Sequence, residues 1–89
     1  MDELKKYNGI ELIKKGNSME VTLELSPIIK KIFTGEPLCL EIEMLQGKSY
    51  PLKDGMTRYV FTVTDPEKMR MLEDFAVMMF SVDYFKSRN

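Results

Sequence analysis

Apolar and polar residues alternate without a break from Met19 to Leu25: Met19, Val21, Leu23 and Leu25 take one side, and Glu20, Thr22 and Glu24 the other. A period of two is what a half-buried antiparallel strand requires. Just upstream, the apolar-rich run from Ile10 ends at Gly16-Asn17, a dipeptide able to take the positive φ angles of a two-residue hairpin turn. Setting Lys15 opposite Ser18 sets Leu12 opposite Val21 and Ile10 opposite Leu23, so turn geometry and apolar pattern select the same face. A β-hairpin over 10–25 is predicted. Residues 1–9 are expected as a mobile N-terminal segment. A helix over 2–15 competes with this reading, but Asn8-Gly9 interrupts it.

Ser26-Pro27 supplies an N-cap and a preorganised first helical position, and Gly35 with Pro37 supplies a stop, which predicts a short helix over about 27–34. In "LCLEIEML", Leu38, Leu40, Ile42 and Met44 alternate with Cys39, Glu41 and Glu43, and Gly47 marks the next turn. This predicts a further half-buried strand. Pro51 permits only an edge strand or irregular chain around 48–53, and Asp54-Gly55 is a good hairpin turn into "TRYVFTVT". That strand sets Tyr59, Phe61 and Val63 on one face. Thr64 or Asp65 then caps, and Pro66 starts, a long helix expected over about 66–86, with Glu67 near its positive end.

At 100° per residue, Met71, Leu72, Phe75, Ala76, Met78, Met79 and Val82 cover an arc of roughly 200°, where a surface helix needs little more than 100° to cover one sheet face. Val77, Phe80 and Tyr84 form a second stripe. Surplus apolar surface of this kind packs under flanking loops or against another chain. Val77, Phe80 and Tyr84, with Met69, are the candidate protein-contact residues. The expected class is α+β: an antiparallel sheet of four to five strands, with a short helix after the first hairpin and a long C-terminal amphipathic helix across one face. Residues 1–89 form a single domain, with a core of Ile10, Leu12, Val21, Leu23, Leu40, Ile42, Phe61, Val63, Leu72, Phe75 and Met79.

Composition narrows function mainly by exclusion. With 44% hydrophobic and 30% charged residues the chain has the make-up of a folded domain. Thirteen Lys and Arg against fourteen Asp and Glu leave no global field to draw it onto nucleic acid or anionic lipid. Cys39 is the one cysteine, so no intramolecular disulfide forms, and a reducing, cytoplasmic setting is expected. The N-terminal "MDELKKYNG" lacks the apolar run of a signal peptide, and no stretch has the roughly 20 apolar residues of a membrane span.

Histidine is absent, which removes the commonest general base and the commonest metal ligand together. Without it, Cys39 has only Lys or a carboxylate to activate it. No phosphate loop, Cys-x-x-Cys pair or calcium loop occurs, so no cofactor, metal or small-molecule ligand is indicated. Glu20, Glu24, Glu41 and Glu43 lie opposite the apolar stripes and define a candidate acidic sheet face for a basic partner. The expected function is a non-enzymatic protein-binding module: a small regulator, adaptor or inhibitor that docks on another protein or on a second copy of itself as a homodimer. Small single-domain products of phages and other mobile elements are often of this kind. The alternative is weak nucleic-acid binding through the scattered Lys5-Lys6, Lys14-Lys15 and Lys30-Lys31 pairs, with Tyr7 or Tyr50 as stacking platforms.

Overall fold

A computed structural model describes the backbone of residues 3–7 and 9–88 and the side chains of residues 9–78. Five antiparallel strands form one sheet: β1 (Glu3–Tyr7), β2 (Ile10–Lys15), β3 (Ser18–Leu25), β4 (Lys48–Pro51) and β5 (Thr57–Val63), in the order β1-β2-β3-β5-β4. Three helices accompany it: α1 (Pro27–Thr34), α2 (Glu41–Gln46) and α3 (Pro66–Arg88). This is the α+β class that the patterning predicts.

The central hairpin has the expected register, with Ile10 opposite Leu23, Leu12 opposite Val21 and Lys15 opposite Ser18. Gly16 takes φ +59° at the first turn position, as a leading glycine does in a type II′ turn. Strand β3 is the middle of the sheet, and Met19, Val21, Leu23 and Leu25 are all buried along its inner side. Ile10 and Leu12 of β2 and Phe61 and Val63 of β5 complete that face. The helices close over it: α1 and α3 lie against β3, and α2 against β5 and β4. Helices α1 and α3 start where the sequence says. The Ile29 N–H donates to Ser26 Oγ at 3.3 Å, and the Glu67 N–H donates to Asp65 Oδ1 at 2.9 Å, so both caps satisfy donors that have no partner within the helix.

Two expectations are corrected. Residues 3–7, expected within a mobile N-terminal segment, are edge strand β1, with Tyr7 opposite Ile10. Gly9, at φ +79°, turns the chain from β1 into β2, and its carbonyl accepts from the Glu24 N–H of β3 at 2.9 Å. The glycine read as a break in a helix is the corner of a second hairpin.

The predicted strand over 38–44 is absent, and its second half is helix α2. Cys39 sits in the left-handed region at φ +51°, which ends any extended run, and the Leu40 N–H is tied back to the Phe33 carbonyl at 3.0 Å. Leu40 and Met44, spaced i and i+4, are buried together, while Ile42 on the opposite side of the helix is 67% exposed. Ile42 is therefore not core. Among the other expected core residues, Phe75 is half-buried, meeting Phe33 edge-on at 5.1 Å between ring centroids, and Met79 lies outside the described side chains.

Candidate docking surface

Helix α1 has four apolar residues in eight, Ile28, Ile29, Ile32 and Phe33, which spread over about 140° at 100° per residue. That is wider than the line of contact with the sheet. Phe33 is buried and Ile29 half-buried against the core, which leaves Ile28 at 76% and Ile32 at 45% exposure. The chain leaves α1 through Gly35, and Leu38 drops into the core behind it. Across from Ile32, α3 presents Met71, Phe75 and Met78 at i, i+4, i+7 spacing. Together these residues border an open groove of about 340 Å³, walled by Ile32, Pro37, Met71 and Met78 and floored by Leu38 and Phe75. Glu36 and Asp74 stand on its rim. Neither carboxylate has an ion-pair partner among the described residues.

The groove belongs to a wider apolar surface on the helices. Among the described residues the large exposed hydrophobics are Ile28 and Ile32 on α1, Ile42 and Leu45 on α2, Val77 and Met78 on α3, and Tyr50 on β4. The helical side of the molecule thus has nearly all of them. Of the residues expected to make contact, Val77 is 47% exposed, whereas Met69 is buried in the core at 7% and is corrected out of the surface. Phe80 and Tyr84 lie outside the described side chains.

The four carboxylates do not share one strand face: Glu20 and Glu24 lie on β3 opposite its buried residues, whereas Glu41 and Glu43 belong to helix α2, and Glu20 and Glu43 border one shallow pocket with Lys48 and Thr62. Lys15 Nζ lies 3.4 Å from Glu20, and Arg58 grips Glu24 Oε2 through Nε at 2.9 Å and Nη2 at 2.7 Å. Each of these two carboxylates thus has its own cation, which leaves Glu20 and Glu24 little net attraction for a basic partner. Of the paired lysines, Lys14 Nζ is 3.9 Å from Glu73, and Lys30 Nζ stands 5.3 Å above the Tyr59 ring. The side chains of Lys5, Lys6 and Tyr7 are outside the described set, and Tyr50 is 45% exposed.

The most organised polar cluster joins α2 to α3. Lys68 Nζ donates to Glu43 Oε2 at 2.7 Å and to the Cys39 carbonyl at 3.0 Å. The hydrogen bond to Glu43 holds the Lys68 ammonium above its ordinary pKa of 10.5, against a smaller opposing effect of burial. This is a structural staple: it ties the start of α3 to α2 and to the turn that replaced the expected strand. Cys39 is exposed. No group of three or more Cys, Asp or Glu side chains among the described residues is placed to hold a metal ion, and no helix among them is long and apolar enough to cross a membrane.

The contact stripe read from the sequence, Val77, Phe80 and Tyr84 with Met69, supplies none of the described groove lining; its α3 wall of Met71, Phe75 and Met78 belongs to the over-wide arc, and its α1 wall was not foreseen. The sequence places Ile32 inside the short helix predicted over about 27–34 and Leu38 at the start of a strand, and neither reading points to a groove. The available signal was the breadth of the apolar arc on α1, which exceeds what an eight-residue helix can bury. No family model, curated protein or solved structure matches the chain.

Proposed function

We propose that the protein is a non-enzymatic binding module, a small regulator, adaptor or inhibitor that acts by docking its helical side on another protein chain. The observation that carries this reading is the apolar groove between α1 and α3, open to solvent and continuous with exposed Ile28, Val77 and Met78. Apolar patches of this kind, rimmed by charge, mark protein contact sites. Methionine walls suit the role because thioether chains re-pack around a partner at little cost. The free, exposed Cys39 fits a reducing compartment such as the cytoplasm.

A photo-crosslinking amino acid at Ile32 tests the reading against the same label at Thr62, which is exposed on the open sheet face. Discrete protein adducts from position 32 and none from position 62 support it. Equal labelling at both positions, or turnover of a substrate by the purified chain, would sink it.

A further inference from the structure

We propose that the groove is filled by the C-terminal half of α3 from a second copy of this chain, the two α3 helices running antiparallel about a twofold axis. This rests on the binding-module reading and names its partner. The first support is a spacing. Met71, Phe75 and Met78 of the groove follow one another at intervals of four and three, and the sequence carries the same rhythm on through Val82 and Phe85. A four-three repeat is the seam that one helix offers to another, with a period of 3.5 residues. It is distinct from the stripe of Met69, Leu72 and Ala76 that α3 buries against the sheet. The sheet accounts for one stripe, and a partner helix accounts for the other.

The second support is charge. Glu36 and Asp74 border the groove with no ion-pair partner among the described residues, and the sequence puts Lys86 and Arg88 at the C-terminal end of α3. An antiparallel pair that sets Met78 opposite Val82 of the other copy also sets Phe75 opposite Phe85, and it brings Asp74 and Arg88 to the same flank of the seam. A parallel pair would instead face Asp74 with Met79, which offers it no charge. Twofold symmetry makes the contact self-complementary and closed, so every favourable pair is made twice and assembly stops at the dimer.

Sedimentation equilibrium of the full chain should give a dimer, and Met78→Glu should give a monomer with an unchanged far-UV circular dichroism spectrum. Should Met78→Glu not fold, the surface charges keep the test open. Asp74→Arg and Arg88→Asp should each weaken the dimer about tenfold, and the double variant should recover it. In a Cys39→Ser background, Asp74→Cys mixed with Arg88→Cys should be joined between chains by a short bismaleimide, and neither variant alone should be. Cross-links from either variant alone would overturn the antiparallel register. A monomer at all concentrations would overturn the second copy as partner. Protein adducts from position 32 in that case would leave the binding-module reading standing, and their absence as well would remove both.

Discussion

Lys68 is the residue on which the helical layer turns. It bridges Glu43 on α2 and the Cys39 carbonyl, so it fixes two elements whose own contacts with the sheet are short. Lys68→Met should cost about 1–2 kcal/mol, since it removes two charge-assisted hydrogen bonds and leaves a largely covered carboxylate without its cation. Urea denaturation of both proteins at neutral pH reads this difference. The pH dependence follows from the direction of the shift. A lysine held above its ordinary 10.5 in the folded state contributes its full stability below that value and loses it as pH rises through the raised folded value. The gap between wild type and Lys68→Met should therefore narrow above pH 10.5 and stay constant below it. Gly47 is constrained differently. Its φ of −87° suits any residue, but a Cβ there would collide with the Val60 carbonyl oxygen and lie 2.7 Å from the Phe61 Cβ. Gly47→Ala should cost about 1–3 kcal/mol through overpacking, visible as a lower denaturation midpoint with an unchanged slope.

At the scale of elements, α2 is the decisive case. Alternation over eight residues cannot separate strand from helix, and "EIEMLQ" consists mostly of good helix formers with two carboxylates in the first turn, where the helix dipole favours them. Ile42→Glu should thus change stability by less than about 0.5 kcal/mol, whereas Leu40→Ala should cost about 2–5 kcal/mol. A sheet in which residues 38–44 were a strand would show similar, large losses at both positions. The central hairpin and both capped helices were legible because each has its own local signature, a turn dipeptide or a Ser-Pro or Asp-Pro start, whereas Pro51 left edge strand and irregular chain open over 48–53, of which β4 is the first. Strand β1 was not, because "ELKKY" has little apolar alternation and is held by its pairing to β2. The same limit hid half of the groove. Its α3 wall follows from helical periodicity, but its other wall depends on where the turn after α1 sends Leu38, and that is decided by tertiary packing.

For the whole molecule, the sheet divides two unlike environments. Its inner face is covered by helices whose outer side remains apolar, and its open face balances Glu20 and Glu24 with Lys15 and Arg58. On the proposed docking role, recognition falls to the helices, and the sheet acts as their platform. The strand order also governs how the chain assembles. Strand β3 pairs with β5 only after residues 26–56, which contain α1, α2 and β4, have looped back, whereas β1, β2 and β3 are joined by tight turns. The three-stranded meander can form early and locally, and the arrival of β5 is the costly loop closure that commits the rest. Native-state hydrogen exchange should find the slowest amides in β3, which is paired on both sides at the centre of the sheet, and faster ones in the edge strand β4. Because α1 and the turn after it lie inside the loop that β5 must close, and α3 follows β5, the groove cannot exist in a half-folded chain: on the proposed docking role, the contact surface is completed last.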